Sequence, residues 1–350
     1  MGKRNEHNHL LVIRLSALGD VAMTIPVLLA VTKKYPKLKL TVVSKKFHGP
    51  IFEDLHNIDF FAAELTTKHR GFFGLFRLYK ELKHLKIVAL ADLHNVLRSK
   101  VLGVFFRLRA TRVVQIDKGR SEKRALTRIR NRNLVPLKTT HERYAEVFGR
   151  LGFPVDLTKN DILKKQILTE NVLRITGNDA LKWIGIAPFA AHTGKMYGLE
   201  KMETVISKLS NTSQYKIFLF GGGQQEKAWV EAVAGSFDHV VAVPGKLNFV
   251  EELQLISNLD VMVSMDSANG HLAANYGVPV ITLWGVTHPY AGFYPYNQPS
   301  ENWLLSNRDK FPLIPTSIYG NKTPTGYDTV MDTITEHNVV AKIEQVLSRL

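Results

Sequence analysis

The sequence predicts an α/β protein of two open, parallel-sheet domains of similar size. Three observations carry that expectation. Short apolar runs that suit buried parallel strands recur along the whole 350 residues. Stretches with apolar residues at helical spacing alternate with them. Residues 153–177 interrupt the alternation with short apolar pieces among polar linker residues, and the boundary is placed there. Residues 1–168 then form the first domain, 169–335 the second, and 336–350 a closing helix packing back towards the first. A chain of this length, 45% hydrophobic, has ample material for two cores.

The first domain opens on residues 10–15, an apolar run broken only by Arg14. A turn at 16–20 follows, and Val21, Ile25, Leu28 and Leu29 then recur as on a helix, with Pro26 early enough to be tolerated. Residues 39–44 form a strand, 47–57 a helix, 58–65 a loop and edge strand, and 75–85 a helix. Between the last two, 66–74 reads as a mobile basic and aromatic loop loosened by Gly71 and Gly74. A strand at 87–93, a helix at 98–108, a basic helix at 125–132 and a helix at 140–151 that stops at Gly152 complete the domain.

The second domain repeats the rhythm. Strands are expected at 183–188, 216–220, 240–243, 261–265 and 278–283, with helices at 199–209, 224–234, 249–257 and through 276. Residues 290–330 read as irregular wrapping, and 338–350 as an amphipathic helix.

There are no cysteines, which excludes disulfides, thiolate metal sites and a cysteine nucleophile. The start of the chain is polar and shows no leader, and His7 and His9 lack companions for a metal. No apolar run approaches the ~20 residues of a membrane span. Residues 1–170 carry 33 Lys+Arg against 15 Asp+Glu, whereas 171–350 carry 13 against 16, so the whole net charge of +15 belongs to the first half. Such asymmetry points to an acidic partner: nucleic acid, lipid headgroups or an anionic glycan. The densest run, 98–132, has twelve basic residues opposed only by Asp117 and Glu122, and reads as one docking surface for phosphates or carboxylates. Its arginines lack interleaved aromatics for base stacking, which disfavours nucleic acid.

In open α/β sheets, ligands bind at the carboxyl ends of strands, and the turn with Asp20 lies there. Asp20 either caps its helix or serves as a carboxylate able to take a proton from a substrate hydroxyl. In the second domain Gly221-Gly222-Gly223 lets backbone N–H groups approach an anion at a helix start. Asp266-Ser267-Ala268-Asn269-Gly270-His271 is a second small-residue turn of that kind, or an ordinary capping turn. Lys195 supplies a cation that would stabilise a departing diphosphate. Neither a GxGxxG fingerprint nor a Walker A lysine motif is present. Together these parts suit transfer of a group from a nucleotide donor to a hydroxyl acceptor.

At these residues the chain resembles glycosyltransferase family 9, the ADP-heptose:lipopolysaccharide heptosyltransferases. The opening VIRLSALGDVAMTIPVL and the later MDSANGHLAANYGVPVITLWGVTHP carry the likeness, in that order. The resemblance implies a GT-B fold, two Rossmann-like domains facing across a cleft, with an ADP-sugar bound by the second. It implies an inverting transfer of heptose to Kdo-lipid A or heptosyl-Kdo-lipid A, with no metal or other cofactor required. Carried over, Asp20 is the catalytic base and Lys195 contacts the donor phosphates. Asp266 lies near the donor sugar, while Ser267, Ala268, Asn269 and His271 belong to the diphosphate turn. Gly221 and Gly222 bind the donor, Glu226 is a candidate for its ribose, and the loop 244–247, ending at Leu247, is where adenine would lie. Lys68, His69, Arg70, Arg98, Lys100 and Arg120 would face the acidic acceptor. The chain departs from the family at Ala268, where Gly is frequent, and at Ala190 and Ala191, where hydroxyl residues are; phosphate contacts then fall to backbone and Thr193.

The expectation is therefore a cytoplasmic, monomeric enzyme held peripherally at the inner leaflet of the inner membrane, where each basic residue adds about 1 kcal/mol of attraction to anionic lipid. Rival readings are a family 9 transferase using another nucleotide sugar, a nucleic-acid-binding protein, and a non-catalytic nucleotide-sugar binder.

Overall fold

The computed structural model describes residues 9–350. The polar start of the chain, with the expectations of no leader and of no metal at His7, lies outside the described residues. Two compact units emerge. One runs up to Lys118 and resumes over Thr140–Ile162; the other holds Gly119–Thr139 and Leu163–Leu350. The boundary expected at 168 is thus moved to 162, and the segment 119–139, read as part of the first domain, belongs to the second unit.

The first unit is built from β1 (His9–Ile13), α1 (Leu18–Ala22), α2 (Ile25–Lys34), β2 (Lys39–Ser44), β3 (Ile58–Ala62), α3 (Gly71–Leu82), β4 (Ala89–Asp92), α4 (Leu97–Arg107) and β5 (Arg112–Gln115). The chain next forms α5 (Arg120–Leu126) in the second unit and returns for α6 (Thr140–Leu151). The five strands lie in the order β3-β2-β1-β4-β5, all parallel. Every residue of β1 is buried, as expected of a parallel strand covered on both faces. Leu75, Leu78 and Leu82 of α3 and Leu102 and Phe106 of α4 pack over Leu11, Ile13 and Leu90.

Three expectations change here. The first helix breaks in two, because Pro26 has no N–H to donate inside a helix and instead sits in the opening turn of α2. Residues 47–57 are not an α-helix; Lys46–Phe52 forms 3₁₀ turns containing Pro50. The region 66–74 is no loose loop, since α3 already starts at Gly71. Gly74 is needed because a Cβ there would lie 2.4 Å from the backbone carbonyl carbon of His69.

The second unit adds α7 (Glu170–Thr176), β6 (Lys182–Ala187), α8 (Leu199–Ser210), β7 (Tyr215–Leu219), α9 (Gln224–Ala234), β8 (Val240–Ala242), α10 (Phe249–Ser257), β9 (Val261–Met265), α11 (Ala268–Asn275), β10 (Val280–Trp284), β11 (Trp303–Leu305) and α12 (Glu336–Leu347). Its strands run β11-β10-β9-β6-β7-β8, again all parallel. The closing helix, expected to pack back towards the first domain, buries Val339, Ile343, Val346 and Leu347 in the core of the second unit beside Met202, Val205 and Ile206 of α8. The basic helix expected at 125–132 is also displaced. The helix is α5, and beyond it the guanidinium of Arg132 donates to the carbonyls of Pro312, Leu313 and Ile314 at 3.3, 2.8 and 2.9 Å. Lys123 is buried with Nζ 4.1 Å from the Phe293 ring centre. The basic run 98–132 is therefore divided between the two units.

Candidate functional site

In a doubly wound sheet the strand order reverses at one point, and the loops leaving the strands there diverge to leave a crevice. In the first sheet that point lies between β1 and β4, and in the second between β6 and β9. The loops at these four strand ends carry Asp20, His94, Lys195 and Asp266.

At the first point Asp20 is the third residue of α1. Its Oδ2 accepts a long hydrogen bond from the Ala17 N–H at 3.4 Å, so the capping reading holds in part. The same oxygen lies 2.5 Å from Nη2 of Arg14, whose Nη1 donates to the Leu93 carbonyl at 2.8 Å. The arginine side chain is 8% exposed and the aspartate 29%, so the carboxylate is the outer member of the pair. The buried Tyr144 of α6 donates its hydroxyl to the Asp20 carbonyl at 3.2 Å, and burial pushes that phenol's pKa up. His94 closes the group, its Nδ1 accepting from the Leu15 N–H at 3.4 Å. Burial, with Arg14 and Lys118 nearby, lowers its pKa to about 3, so it is neutral at physiological pH and too weak a base to compete for a hydroxyl proton.

Sequence reasoning missed what holds this group. Asp92, at the end of β4, is fully buried. Its Oδ1 accepts from the His94 and Asn95 N–H groups at 3.0 and 2.8 Å; its Oδ2 accepts from Ser99 Oγ and Gln115 Nε2, both at 3.0 Å. Four donors on one carboxylate fix the loop that presents His94. The signals were an acid closing an apolar strand and a lone arginine inside another; their meaning depends on β1 and β4 being neighbours.

At the second point Lys195, in a 3₁₀ turn (Thr193–Lys195), donates to the Asp266 carbonyl at 2.9 Å and lies 2.7 Å from its Oδ2. Here the lysine is 14% exposed and the aspartate 8%, so the cation is the outer member. The Gly194 carbonyl accepts from the Val286 N–H at 2.9 Å, and a Cβ on Gly285 would lie 2.3 Å from that oxygen. The loops after β6 and β10 are thereby joined across the end of β9. Ser267 caps α11 in extended conformation, with Ala268 and Asn269 half-buried at its start and His271 buried one turn on. Because the strands are parallel, the loops with Gly221 and Gly222 after β7 and with Leu247 after β8 open on the same edge. Glu226 occupies the glycine turn, its Oε2 accepting from the Gly222 N–H at 2.6 Å, so a side chain of the protein already sits where an anion was expected. Leu247 is buried, bridging to Pro244. Among the described residues no group of three or more His, Asp or Glu side chains could hold a metal ion.

The expected acceptor residues are shared between the two units. His69 is buried; its Nδ1 accepts from the Glu64 N–H at 3.0 Å and its Nε2 lies 3.4 Å from Glu81, so it pins the turn before α3 rather than facing an acceptor. Lys68 pairs with Glu81 at 2.9 Å. Arg70, Arg98 and Lys100 are exposed on the first unit, whereas Arg120 is exposed on α5 of the second.

Two open parallel sheets, each reversing its strand order at one switch point, make the frame of the GT-B fold. Solved structures share that fold. The glycosyl transferase family 9 protein of Veillonella parvula has a TM-score of 0.75 at 20% identity, covering 98% of both chains. Escherichia coli heptosyltransferase WaaC with ADP gives 0.68 at 19% identity, covering 97% of this chain and 99% of that one. Among curated relatives, lipopolysaccharide heptosyltransferase 3 of Escherichia coli is 26% identical over 282 residues, 77% of this chain and 81% of that protein. Lipopolysaccharide heptosyltransferase 1 of Campylobacter coli is 25% identical over 358 residues, 96% of this chain and 98% of its own. The model of glycosyltransferase family 9 (heptosyltransferase) matches residues 75–313. The chain belongs to glycosyltransferase family 9 and is a glycosyltransferase.

Proposed function

We propose that this enzyme moves a heptose from ADP-heptose, with inversion, onto a hydroxyl of the Kdo-lipid A or heptosyl-Kdo-lipid A inner core of lipopolysaccharide, working as a monomer at the cytoplasmic face of the inner membrane. The observation that carries the reading is the opposite exposure of the two ion pairs: a carboxylate outermost on the first unit, an ammonium outermost on the second. Asp20 takes the proton of the acceptor hydroxyl. The freed oxygen forms a bond to the anomeric carbon as the bond from that carbon to the diphosphate oxygen breaks. The electron pair leaves with ADP, and Lys195 with the amides at the start of α11 stabilises its charge. The curated relatives, named as lipopolysaccharide heptosyltransferases, support the donor and acceptor chosen.

The test is ADP release and product formation from ADP-heptose with a Kdo-lipid A acceptor. Asp20→Asn is expected to lose about a hundred- to ten-thousand-fold in turnover with unchanged ADP affinity. Wild-type rates in that variant would overturn the base assignment. Stronger thermal stabilisation by UDP or GDP than by ADP would instead favour a family 9 transferase for another nucleotide sugar, as the departures at Ala190, Ala191 and Ala268 allow.

A further inference from the structure

We propose that α3 and α4 form the face by which this chain docks on an anionic lipid bilayer. Both helices already spend one face on the core, through Leu75, Leu78 and Leu82 on α3 and Leu102 and Phe106 on α4. Among the described residues, each also leaves apolar side chains exposed beyond that face. On α4 and its C-cap, Leu97, Val104 and Leu108 are exposed, Leu97 by 78% and Leu108 by 80%, and the half-buried Val101 and Phe105 continue them at helical spacing to the core. On α3, Phe72 and Phe73 are 61% and 86% exposed in its first turn, with Phe76 beside them. The Phe105 ring lies 5.6 Å from Phe72 and 5.4 Å from Phe76, so the two outer faces are one patch. An exposed apolar patch of this extent marks an interaction surface.

Its rim states the partner's chemistry. Arg70, Arg77 and Lys80 flank the α3 side, and Arg98, Lys100, Arg107 and Arg109 the α4 side, all exposed. The one acidic residue on either helix is Glu81, which faces Lys68 and His69. Lys80 holds Nζ 4.9 Å from the Phe76 ring centre, a cation over an aromatic at the patch edge. Apolar side chains ringed by cations match the boundary between acyl chains and anionic headgroups. The rings pack edge-on against one another, at 69° and 71°, and aliphatic residues continue the patch; both features suit acyl chains better than stacked bases. With 12 and 11 residues, α3 and α4 are too short to cross a bilayer, so they lie on it. The inference takes its biological sense from the proposed glycolipid acceptor, and its test does not use that acceptor.

The full chain is sedimented with vesicles of phosphatidylglycerol and phosphatidylethanolamine, and with phosphatidylcholine alone, at low and high salt. The expected result is binding to the anionic vesicles that weakens with salt. Phe72→Ser with Phe73→Ser and Leu108→Ser is expected to weaken binding at least tenfold. Arg77→Glu with Lys80→Glu and Arg107→Glu is expected to abolish the preference for anionic lipid. These residues are exposed, so unchanged thermal melts are expected in both variants, and turnover on a delipidated Kdo-type acceptor is expected to match wild type. Hydrogen exchange should slow over 71–82 and 97–108 when vesicles are added. Wild-type partitioning in both variants would overturn the proposal. So would a dimer in sedimentation that the serine variant disrupts, which assigns the patch to a second copy, or single-stranded RNA displacing the vesicles from it. Vesicle binding without turnover on any acceptor would sink the functional reading and leave the docking face standing.

Discussion

The two switch points use one device in opposite senses. Each sets a basic and an acidic side chain in contact at the strand ends, Arg14 with Asp20 and Lys195 with Asp266. In the first the arginine is buried and anchored to a carbonyl, which leaves the carboxylate as the outer partner. In the second the aspartate is buried, which leaves the ammonium as the outer partner. The lesson is that two acid–base pairs of the same kind differ by which partner is buried, and the proposed reaction gives its two roles, proton acceptor and diphosphate-stabilising cation, to the outer partners.

Paired substitutions test that contrast most sharply. Lys195→Met is expected to lower turnover about a hundred- to a thousand-fold and to weaken ADP binding, measured by calorimetry. Asp20→Asn should lower turnover alone; matching effects of the two variants on ADP affinity would erase the distinction. The next largest effect falls on stability. Asp92→Ala leaves the His94 and Asn95 N–H groups, Ser99 Oγ and Gln115 Nε2 without this acceptor, and about 3 kcal/mol of loss in denaturant unfolding is expected.

The pH dependence separates the sites further. His94 at about 3, and His48 and His288 at about 4, are held neutral chiefly by burial. Below pH 6.5 the unfolded chain binds protons that the folded chain refuses, so stability falls as pH drops towards 4. Glu252, raised to about 7 by burial, acts in the opposite sense between 7 and 4.5 and offsets part of the slope. Each unbalanced proton contributes about 1.4 kcal/mol per pH unit. A thermal melt series should show that loss, and His94→Gln should flatten it. The smallest effect is expected at Glu226→Ala, which frees the Gly222 N–H. A stability change of about 1 kcal/mol or less is expected, with a modest gain in ADP affinity if that amide meets the ligand.

Most strands and helices were legible because each is apolar or periodic within itself. β5 and β11 were not: Arg112–Gln115 has two apolar residues and Trp303–Leu305 is three residues long, and both are edge strands defined by their neighbours. The basic stretch after α5 misled for a related reason. Arg132 is ordered by carbonyls about 180 residues later, which no local pattern encodes. At the site, Asp20 and the 266–271 turn stood out because strand, turn and small residues are contiguous. The burial of Arg14 and the neutrality of His94 were hidden, since both arise from β1 lying beside β4. Gly74 was read as a loosening residue, although it is the point where the His69 backbone presses on α3.

The interleaving of the two units also bears on how the chain is made. As it leaves the ribosome the first unit lacks α6 until residue 151 has emerged, and 119–139 is already out by then. That segment must wait for residues 290–314, which supply the Tyr290 carbonyl, the Phe293 ring and the carbonyls that receive Arg132. During synthesis the contacts that order this segment therefore form only after residue 314 has emerged. A fragment cut at any single position would carry part of one unit without the rest.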